Sequence, residues 1–96
     1  MVAQSGTSRG KAIVKSGKLI KVDAVFRADV IESIKITGDF FLHPESRIEE
    51  LEERLRGRRV DEVKDIVAEM LRDAEYIGLS VEALTEAVIL AWKMRS

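Results

Sequence analysis

The chain has 96 residues, 46% of them hydrophobic and 34% charged, with a formal net charge of −1 and no cysteine. That length holds one domain with a modest core, and the near-neutral balance excludes a whole-molecule field that would gather a polyanion or an anionic membrane. The missing cysteine excludes disulfides, thiol catalysis and thiolate-ligated zinc or iron–sulfur clusters.

Residues 1–10 are small and polar, with Ser5, Gly6, Ser8 and Gly10, and read as a flexible N-terminal arm ahead of a single domain at 11–96. Residues 12–15, 18–27 and 30–37 then read as three strands. They are joined by Ser16-Gly17 and Ala28-Asp29, links short enough to require antiparallel hairpins. In the second strand Ile20, Val22, Ala24 and Phe26 alternate with Lys21, Asp23 and Arg27, and Ile34 and Ile36 continue the apolar face on the third. This alternation describes a sheet covered on one side only.

The stretch Ile36-Thr37-Gly38-Asp39-Phe40-Phe41-Leu42-His43-Pro44 ends the strands. A glycine there signals an unusual backbone angle or a close approach by another chain segment. In extended chain Phe40 and Phe41 point to opposite sides, one to the core and one to a second surface. Pro44 suits the first position of a helix, whose buried face is Ile48, Leu51 and Leu55 and whose stop is Gly57. Asp61 is placed to cap a second helix bearing Val63, Ile66, Val67, Met70 and Leu71, ended by Gly78. Ser80 caps a third, stapled by Leu79 and Leu84 and continued by Ala87, Val88, Ala91 and Trp92. Three strands followed by three helices make an α+β domain, a small three-stranded antiparallel sheet with the helices on its apolar face.

Chemistry is sparse. His43 is the only imidazole, with Asp39 four residues earlier and nothing to specify a nucleophile. One histidine and scattered carboxylates define no metal site, and no phosphate-loop or dinucleotide glycine pattern occurs. Lys15, Lys18 and Lys21 surround the first hairpin turn, where they either meet an anion or guard strands against edge pairing. Arg54, Arg56, Arg58 and Arg59 form a basic cluster that would carry an alternative role as a nucleic-acid or regulatory binding module. Adjacent glutamates and the lack of interleaved aromatics weaken it. The charges from Glu49 to Arg56 read as a solvated helix face. No stretch approaches the ~20 apolar residues that span a bilayer, and residues 1–10 lack a signal-peptide core, so the expected location is the cytoplasm. Absent asparagine and abundant Lys, Arg and Glu resemble thermophile usage.

In order along the chain, the segments Gly17-Lys18-Leu19-Ile20-Lys21-Val22, Ile36-Thr37-Gly38-Asp39-Phe40-Phe41, Pro44-Glu45, Ile48-Glu49-Glu50-Leu51-Glu52 and Leu55-Arg56-Gly57 resemble the C-terminal accessory domain of lipoate-protein ligases. The likeness covers roughly residues 11–92. It implies a fold similar to that of iron–sulfur scaffold and sulfur-acceptor proteins, whose cysteine chemistry this chain cannot share. It also implies a non-catalytic subunit whose large partner holds lipoate, ATP and magnesium and forms lipoyl-adenylate for transfer to lipoyl-acceptor domains. A chain of this size resembles the separate small subunit of archaeal type. The expected partner surface comprises Lys18, Gly38, Asp39, Phe40, Phe41 and His43, with Lys18 the one candidate to face a nucleotide. An apolar patch left by an absent partner could also be buried in a homo-oligomer.

Overall fold

The structure is a computed structural model and describes residues 6–96. Strand β1 (Thr7–Ser16), β2 (Lys18–Arg27) and β3 (Val30–Gly38) form an antiparallel sheet in the order β1-β2-β3. A short β4 (Phe41–His43) leads into helix α1 (Arg47–Leu55). A 3₁₀ turn at Val60–Glu62 precedes α2 (Val63–Leu71), then β5 (Glu75–Ile77) and α3 (Val81–Lys93) complete the fold. The α+β reading is therefore correct, with helices on one face of the three-stranded sheet.

The first strand corrects the expected arm. Thr7, Ser8, Arg9 and Gly10 lie in β1, paired with Arg27, Phe26, Val25 and Ala24, while the start of the expected arm, residues 1–5, lies outside the described residues. Gly10 is buried because α3 crosses it so closely that a Cβ there would strike the carbonyl oxygen of Ala91. Small residues on both layers permit this approach: Ala12 and Ala24 on the sheet meet a helix whose buried side includes Ala83, Ala87 and Ala91.

The alternation in β2 works as expected, since Ile20, Val22, Ala24 and Phe26 are all buried and are joined by Ile31, Ile34 and Ile36 of β3. A bulge at Val25/Phe26 shifts the β2–β3 register and lets Ile31 pair with Phe26. Helix α1 packs beside β3, and α2 fits between α1 and α3, contributing Val63, Ile66, Val67, Met70 and Leu71.

Three helix signals are displaced. Pro44 precedes α1 by a turn, and its carbonyl accepts from the Arg47 amide at 2.9 Å. Asp61 sits within the 3₁₀ turn and caps nothing, because α2 begins after Glu62. Helix α2 stops at Leu71, and the chain then extends into β5, so Gly78 (φ +77) ends a strand. Ser80 does cap α3, accepting the Ala83 amide at 3.0 Å, with Leu79 and Leu84 both buried beside it.

Both outer edges of the sheet are engaged. Arg9 exchanges backbone hydrogen bonds with Ser96 at 3.3 and 3.2 Å. Along β3, Ile31 donates to the Arg58 carbonyl at 2.8 Å and accepts from Gly57 at 2.7 Å, while the Ile36 amide donates to the Glu52 carboxylate at 2.7 Å. Glu52 is thus more than part of a solvated face. It satisfies an edge amide that would otherwise recruit a foreign strand.

Candidate partner interface

The stretch that interrupts the strands forms one end of the molecule. Gly38 has φ +157, and a Cβ on it would collide with the Leu19 carbonyl oxygen and come within 2.9 Å of the Phe40 ring. Asp39 then clasps the same residue: its carboxylate accepts from the Leu19 amide at 2.6 Å, and its own amide donates to the Leu19 carbonyl at 3.2 Å. The carboxylate that had been paired with His43 as a candidate catalytic group is instead a structural clasp on the β1–β2 hairpin.

Past the clasp the two phenylalanines separate. Phe40 is half-buried and packs against the core, whereas Phe41 is 50% exposed. Phe41 pairs directly with Ile77, which is 65% exposed, in a second sheet of only β4 and β5. Directly opposed residues share a face, so Phe41 and Ile77 make one outward apolar pair, with His43 and Glu75 on the same side. Leu42 is buried, and Tyr76 opposite it is partly exposed.

Lys18 joins this end from the hairpin. The stem of its side chain lies directly on Gly78, where any Cβ would overlap it, and Gly17 (φ +82) turns nearby. Fold topology thus brings Lys18, Gly38, Asp39, Phe40, Phe41 and His43 to one end, together with Tyr76 and Ile77. The latter two were missed because Glu75-Tyr76-Ile77 read as the tail of a helix. Their aromatic and β-branched pair just before a glycine was the available strand signal.

The remaining cations divide sharply. Arg54 pairs with Glu69 at 2.8 Å, Arg56 with Glu53 at 3.4 Å and Arg58 with Glu62 at 3.6 Å; Arg59 meets Asp29 at 3.3 Å and Asp61 at 3.4 Å. Each arginine of that cluster thus has a carboxylate partner on the surface. The lysines behave differently. Lys18 and Lys21 stand on the central strand β2, so they cannot be guarding an edge, whereas Lys15 lies on the edge strand β1, where that reading still applies. Lys11, Lys15, Lys21 and Lys35 are exposed on the strands and, among the described residues, form no ion pair. Asp23, the carboxylate among them, is held by Arg9 through hydrogen bonds of 2.8 and 2.7 Å, which depress its pKa below the usual carboxylate value.

Among the described residues no three His, Asp or Glu side chains converge to hold a metal, and no helix is long and apolar enough to cross a membrane. A hairpin, a strand joint and a two-stranded ribbon thus converge at one end of an α+β domain and expose aliphatic and aromatic side chains there.

The particular family follows from comparison. Residues 13–92 match the family described as bacterial lipoate protein ligase C-terminus, and the chain belongs to it. A relative, lipoate-protein ligase A subunit 2 of Thermoplasma acidophilum, is 41% identical over 49 residues, 51% of this chain. The match spans 52% of that relative's length. The fold is also similar to a chain solved in a study of an archaeal lipoylation system, a bi-partite lipoate protein ligase and its E2 lipoyl domain from Thermoplasma acidophilum. That similarity has a TM-score of 0.78 at 28% identity and covers 83% of this chain and 93% of the other.

Proposed function

We propose that this protein is the non-catalytic small subunit of a bipartite lipoate-protein ligase, required by a large catalytic subunit for ATP-dependent conversion of lipoate to lipoyl-adenylate. The observation that carries this reading is the family match over residues 13–92, in a chain whose exposed end offers apolar contact. The family relationship points to the substrates; the site geometry points to a role through contact.

Adenylation needs a carboxylate and ATP held in line, their charges offset and water excluded. A second subunit closing over the site can supply orientation and desolvation without donating a reacting group. In this reading Phe41 and Ile77 seat on the catalytic subunit and the Asp39–Leu19 clasp keeps the hairpin rigid beside them. Lipoate, ATP and magnesium reside in the large subunit. Lys18 is the side chain at this end able to meet a phosphate; its stem lies on Gly78, so its aim is set by packing. Lipoyl-acceptor domains are reached through the large subunit, and the assembly operates in the cytoplasm.

The test is pyrophosphate release. The purified chain is added to the large subunit with lipoate, ATP and magnesium, and release is expected to rise well above that of the large subunit alone. No increase would remove the proposal.

A further inference from the structure

We infer that the catalytic subunit also covers the open face of the three-stranded sheet, and that the surface it brings there is acidic. This rests on the proposed subunit role and adds to it the location and chemistry of the contact.

Size is the first argument. A stable subunit contact covers about 800 Å² and roughly 20 to 30 residues on each partner, far more than Phe41, Tyr76, Ile77 and Lys18 provide. The contact has to extend, and exposed apolar side chains mark the direction. Leu19 sits beside the clasp, opposite Lys15 in the β1–β2 register, and Ile13, 59% exposed, lies opposite Lys21 one step further along the same face. Leu19 and Ile13 therefore carry the apolar track from the Phe41–Ile77 end onto the sheet.

Charge is the second argument. Register places Lys11 beside Asp23 and Asp23 beside Lys35, and it aligns Ile13, Lys21 and Thr37 in the next row. These six side chains line a shallow depression of about 340 Å³. Asp23 is hydrogen-bonded by Arg9 and only attracted at a distance by Lys11, so Lys11, Lys21 and Lys35, with Lys15 at the rim, leave this face with a net positive charge. By contrast, the arginines at 54, 56, 58 and 59 each have a carboxylate partner. Flexible lysines around an aliphatic centre, without aromatic stacking groups, fit carboxylates on a folded protein better than nucleic acid.

The experiment is a titration of the large subunit with the chain, comparing wild type with Lys11→Glu/Lys21→Glu/Lys35→Glu at low and high salt. Lys64→Glu/Lys93→Glu, on exposed helix positions, is the control, and circular dichroism checks that each variant is folded. The sheet-face variant is expected to bind at least about tenfold more weakly at low salt. Wild-type affinity should fall as salt is raised while the control matches wild type. Wild-type-like binding by the sheet-face variant, an equal loss in the control, or normal subunit binding with a changed KM for an acceptor domain would overturn the assignment. Absence of binding by the unaltered chain would overturn it together with the subunit role, whereas those three outcomes overturn it alone.

Discussion

The backbone of Gly10 lies against the carbonyl group of Ala91 so closely that a methyl group at residue 10 would sit 2.7 Å from the carbonyl carbon. The contact is backbone on backbone, so no rotamer change relieves it. It fixes how near α3 can come to β1, and with that the burial of Ala87, Val88 and Ala91.

Gly10→Ala is therefore expected to destabilise the fold by about 1 to 3 kcal/mol, the usual cost of forcing atoms into a packed interior. Gly57→Ala provides the comparison. Gly57 has φ +80 with nothing near its missing Cβ, so it carries only the left-handed backbone cost of about 1 kcal/mol. Urea denaturation midpoints decide between them, and equal losses would contradict the close-packing account.

The phenylalanines separate stability from binding. Phe26 is fully buried, and Phe26→Ala should cost about 3 to 5 kcal/mol. Phe41→Ala should change stability by no more than about 0.5 kcal/mol, yet weaken binding of the catalytic subunit by about tenfold or more. Thermal unfolding and calorimetric titration on the same preparations give both numbers.

Trp92 donates its indole N–H to the Ala28 carbonyl at 2.9 Å, pinning the end of α3 to a turn in which Ala28 has φ +53. Trp92→Phe should lose about 0.5 to 1.5 kcal/mol with the hydrogen bond. Ala28→Gly should gain up to about 1 kcal/mol, because relief of left-handed strain outweighs the added freedom of the unfolded chain. Chemical denaturation of the two single variants checks the opposite signs.

Asp73 accepts a hydrogen bond from the Arg47 guanidinium at 2.9 Å, and that bond first, then the attraction of the charge, lowers its pKa. Asp23 is lowered likewise by Arg9. A carboxylate with a depressed folded-state pKa stabilises the protein above its unfolded pKa and loses that contribution as pH falls through the folded value. Stability should thus fall as pH drops below about 4. Asp23→Asn/Asp73→Asn should lower the melting temperature at pH 7 and converge with wild type in strong acid. A gap unchanged by pH would contradict the linkage.

Elements with strong local patterns were legible in the sequence. The alternation of Ile20, Val22, Ala24 and Phe26 marked a one-sided strand, and the Ser80 cap with its Leu79–Leu84 staple marked α3, because each signal depends on neighbours in the chain. Signals that depend on distant partners were misread. Gly10 resembled linker glycine, yet its reason is Ala91. The segment Glu75-Tyr76-Ile77 lacked a visible strand partner because that partner is Phe41, more than thirty residues earlier. Glu52 resembled a solvated charge, and its partner is the Ile36 amide.

The amino-acid order by itself determined an α+β domain without thiol chemistry, with one apolar sheet face, a Gly-Asp joint before an aromatic pair, and the likeness to lipoate-ligase accessory domains. Those features rest on composition and on periodicities of two to four residues. Only the tertiary structure decided that Phe40 turns in and Phe41 out, that Ile77 stands beside Phe41, and that the arginines at 54, 56, 58 and 59 meet carboxylates while the sheet-face lysines form no ion pair among the described residues. Pairing between strands and between opposite charges is set by closure of the chain in space. Sequence separation carries no information about which of many compatible partners that closure selects.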